Sequence, residues 1–175
     1  MTDEPVADGV PGTAEALRHA MGHFSSSVTV VTAISGGQAH AMTATAVSSV
    51  SLEPPLILVC VGHASRFHDA VLAAGSWAVS ILAADQAPLA RHFSRRGRSL
   101  ATQFDGVDHV PAPKSGAPVL TGCLVWMDCR TFAAYDGGDH TILVGELVAT
   151  SREAAPKPPL SYYQGSYNVG RTPRD

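Results

Sequence analysis

At 175 residues the chain is the size of one domain, long enough to bury a core without disulfide or metal staples. Hydrophobic residues make up 45% and charged residues 15%, which excludes disorder over most of the length. A formal net charge of −3 gives no basic excess for nucleic acid, and no apolar run approaches the ~20 residues of a membrane span, so neither is an expected partner.

Residues 1–12 mix Pro, Gly and acids without periodicity and read as a disordered lead-in, with no apolar stretch of the signal-peptide kind. Thr13 then caps a helix in which Leu17, Met21 and Phe24 recur at helical spacing. Val28 to Ile34, rich in Val and Thr, reads as a strand turned at Gly36-Gly37 into a partner from Gln38 to Thr43. A stretch of small residues runs from Thr43 to Ser51, and Glu53-Pro54-Pro55 separates it from the apolar run Leu56 to Val61, a strand covered on both faces. Ser65 opens a helix with Phe67, Ala70, Val71 and Ala74 as its buried stripe and Gly75 as its stop. Trp77 to Leu82 is another strand, and Asp85 to Phe93 a short helix that tolerates Pro88 near its start. Residues 94–118 lack periodicity and read as a long functional or mobile loop. Two long strands, Val119 to Ala134 and His140 to Thr150, flank the Asp136-Gly137-Gly138-Asp139 turn, and a Pro-rich connector leads to a last segment, Leu160 to Val169.

About six strands in succession, with two or three short helices between them, predict a mainly β protein: an antiparallel barrel with peripheral helices in a single domain over residues 13–170, followed by a tail at 171–175. Cys60, Cys123 and Cys129 form no C-x-x-C pair. Sparse, odd-numbered cysteines point to a reducing, cytoplasmic setting, with Cys123 and Cys129 on one strand face as buried thiols.

Several chemistries are excluded by missing motifs. There is no G-x-G-x-x-G, no P-loop and no G-x-S-x-G elbow. His19 and His23 lack the Glu of H-E-x-x-H and read as a solvent-facing pair, so no metal is expected. Three polar clusters remain. Thr43 to Ser51 is dense in hydroxyls and small enough for a flat ligand to reach the backbone, or else is a Ser/Thr-rich edge facing water. Gly62-His63-Ala64-Ser65-Arg66 opens a helix and joins unpaired N–H groups to a fixed positive charge, as an anion site or as a simple N-cap with a surface arginine. Gly138-Asp139-His140-Thr141 sits at a hairpin turn, where a histidine can face a ligand or merely decorate the turn. Arg91 to Arg98 adds four arginines in eight positions, able to grip a diphosphate or to form a solvated loop.

In this order the segments resemble the short-chain flavin reductase family, NAD(P)H-dependent enzymes built on an FMN-binding split β-barrel. The resemblance runs from about Leu17 to Tyr167 and is carried by LRHAMGHFSSSVTVVT, AMTATAVSSVSLEPPLILVCV, WAVSILAADQAPLARHF, GDHTILVGEL and PLSYYQGSY. It implies that Thr43, Ala44, Thr45, Ser48 and Ser49 hold the isoalloxazine and ribityl chain, and that Ser65, Arg66 and Phe67 meet the flavin phosphate. His140 is implied as the residue facing the nicotinamide, Phe93 as a lid-side aromatic, and Tyr167 as part of the C-terminal segment near the cleft. It also implies FMN or FAD with NADH or NADPH as the redox pair, a homodimer, and a flavin-dependent monooxygenase supplied with diffusing reduced flavin. Two departures stand out: Ser27 replaces a Gly before Val-Thr, and Thr43-Ala44-Thr45-Ala46-Val47 replaces Thr-Ala-Asn-Ser-Phe. The lost Asn amide and Ser hydroxyl would each forgo ~0.5–1.5 kcal/mol of hydrogen bonding to the flavin. The competing expectations are a flavin- or haem-binding barrel without turnover, and a barrel using bound flavin in a biosynthetic redox step.

Overall fold

The computed structural model describes residues 9–151 and 157–169. The expected lead-in and tail fall largely outside that range. Among the described residues, twelve strands and three α-helices follow in chain order: α1 (Ala14–Gly22), β1 (Ser26–Ser27), β2 (Thr29–Ser35), β3 (Gln38–Ala44), β4 (Val47–Leu52), β5 (Pro55–Gly62), α2 (Arg66–Ala74), β6 (Ser76–Ile81), α3 (Ala87–Ser94), β7 (His109–Pro111), β8 (Pro118–Leu120), β9 (Val125–Asp136), β10 (His140–Thr150), β11 (Leu160–Tyr163) and β12 (Ser166–Val169).

Seven of the strands form one antiparallel sheet in the order β3-β2-β6-β9-β10-β5-β4. Its two edge strands, β3 and β4, are neighbours in sequence, joined only through Thr45 and Ala46. Three peptide links span at most about 11 Å, so the sheet must curl until its two edges approach at that corner, where Cys60 N–H extends the β4–β5 pairing by donating to the Ala46 carbonyl (3.0 Å). The result is the mainly β, split-barrel architecture expected from the sequence. Inside it, Val31, Val59, Val61, Phe67, Val71, Trp77, Val79 and Leu143 pack as one buried cluster.

Local chemistry explains the elements. Gly36 and Gly37 both have positive φ (58° and 74°), as the tight β2–β3 hairpin requires. Thr13 caps α1 by accepting from Ala16 N–H (3.1 Å). Ser65 caps α2 in the same way through Phe67 N–H (3.2 Å), and Gly75 ends it. On α2 the stripe of Phe67, Ala70 and Val71 is buried as its spacing predicts. On α1 it is not: no residue of the helix is buried, and Leu17, Met21 and the following Phe24 stay exposed.

Three expectations need correction. The predicted strand from Val119 to Ala134 is two strands, because Gly122 at φ 74° turns the chain between β8 and β9. Cys123 therefore lies in that turn and shares no strand face with Cys129, although both are buried. The Cys129 thiol is pushed up to about 12 by burial and by the adjacent Asp128 carboxyl. Finally, residues 94–118, read as a functional or mobile loop, include most of the β7–β8 hairpin. Arg98 Nη2 donates to the Ala41 carbonyl (2.8 Å) and Gln103 Nε2 to the Ala39 carbonyl (2.6 Å), so side chains supply what a neighbouring strand would give to the β3 edge. The β7–β8 hairpin is fixed to the barrel by Thr32 Oγ1 donating to Pro118 (2.7 Å) and by Asp128 Oδ2 accepting from Lys114 and Ser115 N–H (2.7 and 3.2 Å).

Candidate active site

The strap over β3 leaves a cleft of about 760 Å³ between it, the start of α2 and the β9–β10 turn. That volume lies within the range of small-molecule and cofactor sites. Of the residues expected in a site, Thr43, Ser65, Arg66, Phe67, Phe93 and His140 all line it. They come from β3, the α2 N-terminus, α3 and the first position of β10. Thr43 is held by its hydroxyl donating to the Ala90 carbonyl (2.7 Å), which also pins α3 against β3.

The remaining expected residues sit elsewhere. Ala44 is packed in the core cluster. Thr45 is exposed at the barrel corner, and Ser48 and Ser49 are exposed on β4, an edge strand of the sheet. Tyr167, on β12, packs half-buried against the second core cluster with the Arg91 guanidinium 5.3 Å from its ring. None of these five lines the cleft of the single chain.

The cleft is basic. Arg66, Arg95, Arg96 and Arg98 line it, and among the described residues none of the four forms a salt bridge. Arg66 Nη1 donates to the Arg98 carbonyl (2.6 Å), which brings two guanidinium-bearing residues side by side. Arg98 also donates through Nη1 to the Arg95 carbonyl, and its guanidinium lies 5.7 Å from the Phe93 ring. Burial and then the field of Arg66 lower the Arg98 pKa. His40, on β3, responds to the same two causes: burial, then Arg66, hold its ring below the ordinary histidine range. Two buried nitrogens of this set, His40 Nδ1 and Arg98 Nε, have no hydrogen-bond partner. Buried polar atoms normally do have one, and Arg98 Nε, which can only donate, suits an anionic or carbonyl-bearing ligand.

Opposite the arginines, β10 runs antiparallel to β5 and places His140 across from Gly62. A Cβ at Gly62 would stand 3.3 Å from His140 Nε2, so the glycine makes room for that ring. His140 Nδ1 is 2.7 Å from Asp139 Oδ1; this bond first, and the charge of the imidazole second, keep the Asp139 carboxyl below its usual range. Sequence patterns mark the neighbourhoods of Arg98, His63 and Asp139 but not His40. Its available signal was a lone ring among the small residues of Gln38–Ala44.

Fold and cleft together define a split-barrel protein with a basic cleft suited to an anionic ligand. The family model described as "Flavin reductase like domain" matches residues 21–171. The chain is 43% identical over 137 residues to an NADH-dependent FAD reductase of Streptomyces globisporus, covering 78% of this chain and 75% of that protein. It is 32% identical over 152 residues to the flavin-dependent monooxygenase reductase subunit HsaB of Mycobacterium tuberculosis, covering 86% and 79%. Among solved structures, BorF, the flavin reductase component of a bacterial two-component tryptophan halogenase, superposes with a TM-score of 0.86 at 40% identity, over 93% of this chain and all of that one. The chain belongs to the flavin reductase like family and is an oxidoreductase of that type.

Proposed function

We propose that the protein reduces FMN or FAD with NADH and releases the reduced flavin to a flavin-dependent monooxygenase. The observation that carries this reading is the arginine-lined cleft with its two unpartnered buried nitrogens, set in a chain of this family. Bound flavin supplies the electron acceptor and the nicotinamide the hydride, so the protein itself needs no acid–base dyad. Its own groups bind and orient. Arg66, at the exposed start of α2, holds the phosphate, while Arg98 adds charge from the strap. Phe67 and Phe93, both buried, give apolar walls that exclude water. His140 positions the nicotinamide. The unpaired outer edge of β4, with Ser48, Ser49 and the corner residues Thr45 and Ala44, offers backbone groups to the carbonyls and ring nitrogens of the isoalloxazine.

Two further features support a homodimer: the uncovered face of Leu17, Met21 and Phe24, and Leu52, 88% exposed at the end of β4. Association across that edge would bring Thr45, Ser48 and Ser49 toward a site they do not reach alone. The free thiols of Cys60 and Cys129 accord with a cytoplasmic protein, and no helix among the described residues is long and apolar enough to cross a membrane.

Steady-state kinetics test the function. NADH oxidation is expected to require added FMN or FAD and to run for many turnovers; a coloured protein with no multiple turnover would instead favour the binding-only reading. A second prediction concerns pH. Arg66 helps hold the His40 ring neutral, and a phosphate on Arg66 would offset that field and raise the His40 pKa toward its usual value. Binding then takes up a proton, so FMN affinity should rise as pH falls through the histidine range, by at most about tenfold per pH unit for one proton. Titration calorimetry in buffers of different ionisation enthalpy should show this uptake in the wild type and its loss in His40→Gln.

A further inference from the structure

Two imidazoles on the cleft wall each have one ring nitrogen engaged by a chain of groups whose hydrogen-bonding sense is determined. His140 is the direct case: a carboxylate only accepts, so Asp139 fixes the hydrogen on Nδ1 and leaves Nε2 of the neutral ring as an acceptor. His63 is the indirect one. Asp69 Oδ1 lies 2.7 Å from His68 Nδ1, so the neutral His68 ring carries its hydrogen there and has a lone pair on Nε2. That Nε2 is 2.8 Å from Thr141 Oγ1. A hydroxyl has one hydrogen, and here it goes to His68. His63 Nε2 stands 3.2 Å from the same oxygen, which has only lone pairs left to offer. The contact is a hydrogen bond when His63 carries its hydrogen on Nε2, and its Nδ1 is then an acceptor.

The four residues come from three separate places in the chain: Asp69 and His68 from α2, Thr141 from β10, and His63 from the turn between β5 and α2. The rings of His63 and His68 pack edge to face with centroids 5.0 Å apart. Asp69 and His68 do not line the cleft, whereas His63 does. We propose that Asp69, His68 and Thr141 act as a tautomer lock, positioning residues that hold His63 Nδ1 as a hydrogen-bond acceptor for an amide-type N–H of the bound ligands. Both substrates of the proposed reaction carry such a group, the nicotinamide carboxamide and the imide N3–H of the flavin ring. The proposal rests on the reductase reading for the identity of the ligand, but not for the lock itself.

Asp69 tests it, because its side chain is 98% exposed and its removal leaves the cleft lining intact. In Asp69→Ala, His68 regains a hydrogen on Nε2 and donates to Thr141, whose own hydrogen turns to His63 Nε2 and drives the His63 hydrogen to Nδ1. Long-range proton–nitrogen NMR on protein labelled at histidine nitrogen, at a pH where the rings are neutral, should show His68 in the Nδ1–H form and His63 in the Nε2–H form. Both assignments should reverse in Asp69→Ala. Wild-type His68 in the Nε2–H form, or a His63 that keeps its tautomer in the variant, overturns the lock. This reading stands or falls whether or not the protein turns over. In kinetics the variant should raise one substrate's KM about tenfold, the scale of one hydrogen bond, with kcat unchanged. Reduced 3-acetylpyridine adenine dinucleotide lacks the carboxamide N–H, and 3-methyl-FMN lacks the imide N–H; the penalty should vanish with one of them and so identify the group read. A penalty that persists with both analogues overturns the recognition role. Thr141→Val removes the hydroxyl with little change of shape and should produce the same KM penalty. Absence of any NADH-dependent flavin reduction in the wild type would count against the reductase reading alone.

Discussion

Gly145→Ala is expected to destabilise the protein by about 3 kcal/mol, the upper end for overpacking a tight core. Gly145 lies at the register shift between β9 and β10, where those long strands cross the indole of Trp77. A Cβ there would come within 2.5 Å of Trp77 Cζ2, closer than real contacts allow, and within 3.0 Å of Cys129 Cβ, tighter than most. Trp77 has no room to yield, being fully buried within the cluster formed by Val31, Val79 and Leu143. Relief must come from separating β10 from β6, which loosens the middle of the seven-stranded sheet. Chemical denaturation should show a lower midpoint at unchanged m-value. Trp77→Phe removes the offending atom, so combining it with Gly145→Ala should cost at least 1 kcal/mol less than the sum of the two single changes. A Gly145→Ala protein within 1 kcal/mol of wild type would mean that the strands are free to part at little cost.

Sequence patterns specify such local features better than they specify what covers them. The β2–β3 hairpin, the β5 strand and the limits of α2 are written in short-range chemistry: paired glycines, a continuous apolar run, a Ser cap and a Gly stop. The helical spacing of Leu17, Met21 and Phe24 likewise gave a helix, yet periodicity identifies an apolar face without naming its partner, and in the single chain that face meets none. Residues 94–118 show the opposite case. Their order comes from Arg98 and Gln103 bonding to carbonyls 57 and 64 positions earlier, contacts that no local composition encodes. The site shows the same division. Arg66 and His140 are legible because each sits beside a cap or turn with its own signature, whereas Phe67 and Phe93 enter as site residues through the family resemblance. His40 enters only through the pairing of β3 with the barrel, and it matters because Arg66 lies nearby.

That neighbour is also where the largest effect on binding is expected. Arg66→Gln should weaken FMN binding about tenfold while leaving riboflavin, which lacks the phosphate, almost unaffected. Arg66 has two possible roles, and the comparison separates them. Its Nη1 supports the strap by donating to the Arg98 carbonyl, and a purely structural contribution would be lost for both ligands alike. Its charge, unopposed by any acidic partner among the described residues, acts only on the phosphorylated ligand. The side chain is exposed, so solvent screens part of the interaction and the upper range for buried charge-assisted bonds does not apply. The same exposure makes the effect sensitive to salt: wild-type affinity for FMN should fall as ionic strength rises, and the variant's should fall less steeply. Removing the charge also takes away one cause of the depressed pKa values of His40 and Arg98, so the proton uptake on FMN binding should diminish with it. Equal weakening of FMN and riboflavin, with the salt dependence unchanged, would assign Arg66 to the strap and leave the phosphate to the other cleft arginines.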